Sequence, residues 1–294
     1  NFELFVDPKI KNFLPDPSIF IDMDKTVKRI ANEIETKNPI GIFGDYDVDG
    51  ATSAALLKLF LQYFGIEVHI HIPDRFLEGY GPNITALNSL VSKGSNLIIT
   101  VDCGINSHEP LKELNKTDID CIIIDHHTPD DDLPPAFSIV NPKRKENGIE
   151  YHYLSAVGVT FIMIVGLTRE LRQRGVFEKI KEPNLFRFLD LVALGTVCDV
   201  VPLKGLNRCF VKAGLNIISQ RKNPGINALC DISDLNKIPD EETLGYKLGP
   251  KINAAGRIGS SDIGVSLLIS KDISKANELA SKLYQLNAVS YTHL

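Results

Sequence analysis

Gly44-Asp45-Tyr46-Asp47-Val48-Asp49-Gly50 sets three carboxylates at alternate positions on a tight loop. The loop lies between an apolar run, Pro39-Ile40-Gly41-Ile42-Phe43, and a helix-like segment, Ala51 to Phe64. A strand that ends in three aspartates is a poor way to build a core. Carboxylates this close raise one another's pKa or need a counter-charge, and a hard divalent cation suits oxygen ligands. Helix capping or an Asx-turn accounts for one aspartate or two, not for three in alternation. Taken alone, the stretch reads as a metal site.

Working outward, the same arrangement recurs. Before the loop, Met23, Val27, Ile30, Ala31 and Ile34 fall at helical spacing and Asn38-Pro39 closes that helix. After it, strands over 67–72, 97–101, 121–124 and 137–140 alternate with helices over 84–93 and 108–115. Continuous apolar strands alternating with helices predict an α/β fold, a parallel sheet with helices on both faces. Two further strands end in polar clusters, Asp102-Cys103-Gly104 and Asp125-His126-His127. The carboxyl edge of an open α/β sheet is where ligands bind, so three such ends argue against coincidental capping. From Tyr153 the pattern turns helical, over 154–174, 184–196 and 205–222, and Cys198-Asp199 again places an acid beyond an apolar run. Residues 223–248 are weakly patterned, and two helices follow over 262–269 and 274–286. The expected organisation is an N-terminal arm over 1–22, a catalytic domain over 23–204, and a mainly helical connecting region over 205–294 that opens a second domain.

The 294 residues, 44% apolar and 23% charged, suit a soluble globular protein with no run long enough to span a membrane. The chain starts at Asn1 without an initiator Met or a signal peptide, which reads as a fragment or a trimmed chain. Five cysteines form no C-x-x-C pair; their apolar neighbours suggest small core residues in a reducing cytoplasm, so a cytoplasmic location is expected. The net charge of −5 speaks against a nucleic-acid partner only until Asp45, Asp47, Asp49, Asp102, Asp125 and Asp199 are set aside, which leaves +1. Local charge must therefore decide. Lys143-Arg144-Lys145 either tracks a nucleic-acid backbone or forms a solvated face.

Carboxylates with one or two imidazoles suit Mn²⁺ or Mg²⁺ better than a sulfur-rich structural zinc site does. Asp45, Asp47, Asp49, Asp102, Asp125, His126, His127 and Asp199 are too many for one ion, so a two-metal centre with one bridging Asp is expected. Adjacent histidines on extended backbone point to opposite sides, so one binds metal while the other meets a phosphate or acts as a general acid.

In this order, Asp-Tyr-Asp-Val-Asp-Gly, Val-Asp-Cys-Gly, Asp-His-His and Gly-Thr-Val-Cys-Asp-Val-Val-Pro-Leu resemble the DHH phosphoesterase superfamily. The stretches from Ile72 to Gly81 and from Asn253 to Gly259 are similar to its RecJ single-strand-specific exonucleases in particular. The resemblance covers about Asp22 to Leu286. It implies a 5′→3′ exonuclease on single-stranded DNA, dependent on two Mn²⁺ or Mg²⁺ ions, that releases mononucleotides in DNA repair and recombination. Single-strand-binding protein and a helicase are its implied partners, with no membrane. Carried over, Asp47, Asp49, Asp102, His126 and Asp199 are metal ligands, and Asp45 is a ligand or a partner of one. His127 faces the scissile phosphate, Asp102 and Asp125 complete the catalytic set, and Arg75, Asn253 and Arg257 contact substrate phosphate.

The sequence departs from that pattern in two places. No Gly-Gly-His motif or OB-fold region follows, so truncation at the carboxyl end is expected. Val289-Ser290-Tyr291-Thr292-His293-Leu294 breaks the helical pattern and reads as foreign sequence. The alternatives are a DHH nano-RNase, a cyclic-dinucleotide phosphodiesterase, an inorganic pyrophosphatase or a non-catalytic replication scaffold. Pyrophosphatases of this type carry a His four residues before the first ligating Asp; the candidate positions here are Gly41 and Phe43. Scaffolds lose their ligands, and this chain keeps its candidates.

Overall fold

A computed structural model describes residues 8–235, 238–257 and 261–292. Its centre is one parallel sheet of β1 (Ile40–Gly44), β2 (Val68–His71), β3 (Leu97–Val101), β4 (Asp120–Ile124) and β5 (Ser138–Val140), in the order β2-β1-β3-β4-β5. The central strands β1, β3 and β4 are short and mostly apolar because both faces of the sheet are covered there. On one face lie α1 (Met23–Thr36), α2 (Val48–Tyr63) and α5 (Ala156–Gln173), which share a core with Ile40, Ile42, Ile99, Val101 and Ile124. On the other lie α3 (Ile84–Ser92) and α4 (His108–Leu114), packed through Leu87, Leu90, Leu111 and Leu114 onto Phe43, Ile98 and Ile123. Parallel strands joined through helices give the expected α/β class.

Register is what makes a site. Gly44 pairs with Val101, Val101 with Ile124 and Ile124 with Val140, so four strands end level. The ladder runs one bond further at each step: Asp45 N–H donates to Val101 O, Asp102 N–H to Ile124 O and Asp125 N–H to Val140 O. Asp45, Asp102, Asp125 and Asn141 therefore form one row along the carboxyl edge. The chain winds from β1 outward to β2 and then back across to β3, so Asp45 and Asp102 flank the point where the strand order reverses, the usual ligand crevice of such sheets.

The helical remainder comprises α6 (Leu189–Cys198), α7 (Gly205–Ser219), α8 (Pro224–Ile232), α9 (Gly249–Gly256), α10 (Asp262–Leu268) and α11 (Ile273–Thr292). Helix α6 is buried along nearly its whole length between α2 and α7.

Several expectations need correction. Helix α2 starts at Val48, not Ala51, because the Asp47 carboxylate accepts the Gly50 N–H at 3.0 Å and caps it. Asp49 is thus in a helical first turn and not on a loop. The weakly patterned 223–248 region holds α8, whose Asn223 cap and Pro224 form a helix start that reads as a loop. It also holds a wide π-type turn over Thr243–Leu248 that leads into α9 at a proline, Pro250. The helix expected over 184–196 is a 3₁₀ turn, Leu185–Phe188, followed by α6. Helix α11 continues to Thr292, so the helical pattern does not break at Val289; His293 and Leu294 lie outside the described residues. Among the described residues the N-terminal arm holds two 3₁₀ turns, Ile10–Asn12 and Pro17–Ile19. Ile10, Pro17 and Phe20 are buried, and Asp16 pairs with Arg169 of α5; residues 1–7 are not among those described.

Candidate metal centre

The three opening aspartates divide their work. Asp45, buried, accepts the Tyr46 N–H at 2.8 Å. Asp47 caps α2 and keeps one oxygen for other partners. Asp49 is fully buried and accepts the Ala156 and Val157 N–H groups at 2.6 and 2.9 Å, first-turn amides of α5 that have no partner within the helix. The turn requires Gly50: a Cβ there would lie 2.5–2.7 Å from Asp45 backbone atoms.

Asp102, at the end of β3, has a left-handed backbone (φ 61°), which an aspartate tolerates better than most residues. It is 1% exposed, and neither carboxylate oxygen has a hydrogen-bond partner. Asp125, at the end of β4, is the opposite case. Its Oδ1 accepts the His126 N–H, the His127 N–H and the His127 ring at 2.7, 3.0 and 2.8 Å, and Oδ2 accepts the Ile105 N–H. Its oxygens are saturated, so its place is to hold His127. Asp199 reaches in from the carboxyl end of α6.

These groups converge on the His126 ring. His126 Nδ1 lies 3.0 Å from Leu154 O, so its proton sits on Nδ1 and the Nε2 lone pair faces inward. Around Nε2 stand Asp102 Oδ1 at 3.3 Å, Asp199 Oδ2 at 3.5 Å and Asp49 Oδ2 at 3.9 Å. His126 Nε2, Asp199 Oδ2 and both Asp102 oxygens are buried without a protein partner. Three sets of ligand atoms, each within 4.8 Å of one another, overlap here: Asp49–His126–Asp199, Asp102–His126–His127 and Asp45–Asp47–Asp102. Converging electron-pair donors, those of Asp102, His126 and Asp199 with nothing to donate to them, are what a hard divalent cation fits.

The electrostatics agree. Burial first, and then the neighbouring carboxylates, push Asp45 and Asp199 up to about 7 and Asp49 up to about 8, and raise Asp102 as well. Burial depresses His126, as a ligand lone pair requires. His127 goes the other way, raised by its hydrogen bond to Asp125. Burial would raise Asp125, but the His127 ring and the backbone amides outweigh it and hold the carboxyl below its ordinary value.

At the mouth, the exposed Arg75 guanidinium lies over the Tyr46 ring, 5.4 Å from its centroid. Gly256 of α9 sits against Tyr46, since a Cβ there would be 3.0 Å from Tyr46 O, which brings this helix end to the aspartate loop. Asn253, one turn earlier, is half-buried with an unpartnered Oδ1, and Arg257 is exposed. Ile258 and Gly259 lie outside the described residues. The structure thus brings Asp45, Asp47, Asp49, Asp102, His126, His127 and Asp199 into one cluster, sets Asp125 behind it, and leaves Arg75, Asn253 and Arg257 toward the rim.

A family profile described as the DHH family, N-terminal domain, matches residues 39–196. The chain belongs to the DHH family. The profile spans β1 to α6, and Asp199 lies three residues past its end. The chain is 40% identical over 268 residues to the single-stranded-DNA-specific exonuclease RecJ of Dickeya dadantii, covering 90% of this chain and 46% of that protein. It is 38% identical over 285 residues to the protein of the same name from Haemophilus influenzae, covering 96% and 49%. It therefore spans about half the length of the curated relatives it matches. Among solved structures it is similar to an exonuclease RecJ bound to manganese, with a TM-score of 0.82 and 32% identity over 93% of this chain and 67% of that one. It is also similar to RecJ from Thermus thermophilus in complex with Mn²⁺, with a TM-score of 0.78 and 29% identity over 93% and 38%.

Two groups of this DHH chain went unread in the sequence. Tyr80 points its hydroxyl at the centre, 3.4 Å from His127 Nδ1 and 3.5 Å from Asp102 O. Asn141, fully buried, donates through Nδ2 to His127 O at 2.8 Å. The rule that flagged Asp102 and Asp125, a polar residue just beyond an apolar strand, also picks out Asn141. Nothing in the local pattern singles out Tyr80.

Proposed function

We propose that this chain carries the hydrolytic centre of a divalent-metal-dependent, 5′→3′ single-strand-specific exonuclease that releases mononucleotides from DNA in repair and recombination. The observation that carries the reading is the set of buried, unpartnered donor atoms on Asp102, His126 and Asp199. Likeness to proteins named single-stranded-DNA-specific exonucleases, and to RecJ structures holding manganese, supports the substrate and the metal. Single-strand-binding protein and a helicase are proposed as partners and the cytoplasm as the location. No helix among the described residues is long and apolar enough to cross a membrane.

Asp49, His126 and Asp199 would hold one Mn²⁺ or Mg²⁺ ion and Asp45, Asp47 and Asp102 a second, with Asp102 between the two sets. When bound, the pair supplies a hydroxide nucleophile at neutral pH and a clamp on the phosphoryl oxygens. His126 keeps its proton on Nδ1, where it donates to Leu154 O, and so leaves Nε2 deprotonated. His127, held by Asp125, carries a proton into the neutral range and delivers it from Nε2 to the leaving 3′ oxygen. Arg75, Asn253 and Arg257 at the rim orient substrate phosphates.

The test compares 5′- and 3′-labelled single-stranded, duplex and RNA oligomers in Mn²⁺ and in EDTA, with an Asp102→Ala/His126→Ala double variant beside the unsubstituted chain. Mononucleotide release from 5′ ends of single-stranded DNA, lost in EDTA and in the double variant, is expected. Activity that survives either treatment refutes the metal mechanism, and preference for RNA dinucleotides moves the assignment to a nano-RNase.

A further inference from the structure

Beyond β5 the chain reads Asn141-Pro142-Lys143-Arg144-Lys145, three consecutive cations with three different fates. Arg144 is buried, and its guanidinium bonds Asp22 Oδ2 at 2.8 Å, Ile139 O at 2.9 Å and Glu146 at 3.1 Å. Its charge is used inside the fold. Lys145 pairs with Asp131 at 2.8 Å on the open surface, where such a pair contributes little. Lys143 is half-buried, and among the described residues its ammonium has neither a carboxylate nor a carbonyl partner.

The lysine nonetheless stands on a rigid base. Asn141 Oδ1 accepts the Lys143 N–H at 2.8 Å, while Asn141 Nδ2 donates to His127 O at 2.8 Å. Asn147 Nδ2 donates in turn to Asn141 O at 2.7 Å. The loop is thereby stapled to the backbone of the Asp125-His126-His127 turn, on the sheet edge where the row of polar ends lies. The ammonium is near enough for its charge to be felt at the centre. Burial chiefly depresses His126, and Lys143 adds to that effect; burial and Asp47 raise Asp199, and Lys143 opposes them.

We infer that Lys143 is a substrate-binding residue of the centre, whose unpaired ammonium receives a non-bridging oxygen of the phosphodiester brought up to His127. A cation beside so many carboxylates that pairs with none of them is available to an incoming anion, and a compact ammonium on a flexible stem suits a phosphate oxygen. The inference rests on the reading of the site as a phosphodiesterase.

The test uses a 5′-phosphorylated, phosphorothioate-linked dT oligomer that resists hydrolysis, with binding followed by fluorescence anisotropy in Mn²⁺ across a salt series. Lys143→Gln should weaken binding about tenfold and flatten the slope of log affinity against log salt by about 0.7, one phosphate contact on a single strand. Lys143→Arg should restore most of both. Mn²⁺ affinity, read from the free-ion paramagnetic resonance signal, should be unchanged or tighter in Lys143→Gln, since a cation has been removed. An unchanged affinity and slope in Lys143→Gln overturns the inference. So does a parallel loss of Mn²⁺ binding, which would make the lysine a prop of the fold. If the unsubstituted chain does not bind the oligomer, the exonuclease reading itself falls.

Discussion

Replacing Asp102 by Asn should make the metal-free protein more stable. Asp102 is 1% exposed and both oxygens lack a donor, so its charge sits uncompensated among Asp45, Asp49 and Asp125. Asparagine has the same shape, tolerates the left-handed backbone at φ 61°, and offers an amide N–H₂ to the surrounding carboxylates. A buried polar group left unsatisfied costs about 1–3 kcal/mol, and more when charged. A gain of about 2 kcal/mol in EDTA is therefore expected, a rise in Tm of about 4 °C for a chain of this length. Saturating metal should invert the order. An ion at a hundredfold excess over its Kd stabilises the unsubstituted protein by about 2.7 kcal/mol, and the variant has lost the shared ligand that would secure that gain. Thermal and urea denaturation at pH 7.5, each in EDTA and in Mn²⁺, read both halves. A variant less stable than the parent in EDTA, or Mn²⁺ stabilising both proteins equally, refutes the reasoning.

Three further outcomes follow from the geometry. Asp125→Asn keeps one acceptor oxygen for the His126 and His127 groups, gives up the one that accepts the Ile105 N–H, and removes the charge that raises His127, so kcat should fall about a hundredfold and its alkaline limb should move to lower pH while Mn²⁺ affinity holds; an unshifted limb would remove His127 as the acid. Gly195→Ala places a Cβ 2.3 Å from Thr52 Oγ1, 2.8 Å from Val157 Cγ1 and 3.0 Å from Asp49 Oδ1. Pushing α6 off α2 should cost about 1–3 kcal/mol in urea denaturation and loosen Mn²⁺ binding by displacing Asp199, and full stability with full affinity would contradict this. Asp190, buried at the far end of α6 beside a cavity of about 390 Å³, is pushed up to about 6, chiefly by burial. A carboxyl raised above its ordinary 3.8 is penalised once ionised, so stability contributed below pH 4 is lost as pH rises through 6. Asp190→Asn should accordingly stabilise by about 3 kcal/mol more at pH 8 than at pH 4; a pH-independent difference between the two proteins would show that Asp190 titrates normally.

Much of this was legible in the chain itself because two regularities coincide. Strands covered on both faces are continuously apolar, so Asp45, Asp102 and Asp125 stand out as abrupt polar ends, and the carboxyl edge of a parallel sheet is where such ends gather. What local pattern could not carry is which atoms are already engaged. Asp47 both caps a helix and belongs to the acidic cluster, so capping and a place in the site are not alternatives there. Asp125 resembles its neighbours in sequence, yet four donors saturate it. Lys143, Arg144 and Lys145 are adjacent and alike, and only the long-range partners Asp22 and Asp131 separate them. Helix α8 stayed hidden because Asn-Pro-Gly, a helix start here, is equally a turn. Tyr80 reaches the centre through a loop whose path no periodicity describes.

The Asp49 carboxylate closes the start of α5 while facing His126, and that double engagement bears on how this protein should be interrogated. A substitution at Asp49 withdraws the acceptor from two main-chain amides of an 18-residue helix as well as a carboxylate from the candidate metal cluster. Its inactivity would conflate a loosened scaffold with lost chemistry. Asp102, whose oxygens bind no other group in the protein, is the cleaner control for the proposed activity; Asp49 is where the architecture and that proposed chemistry cannot be separately mutated.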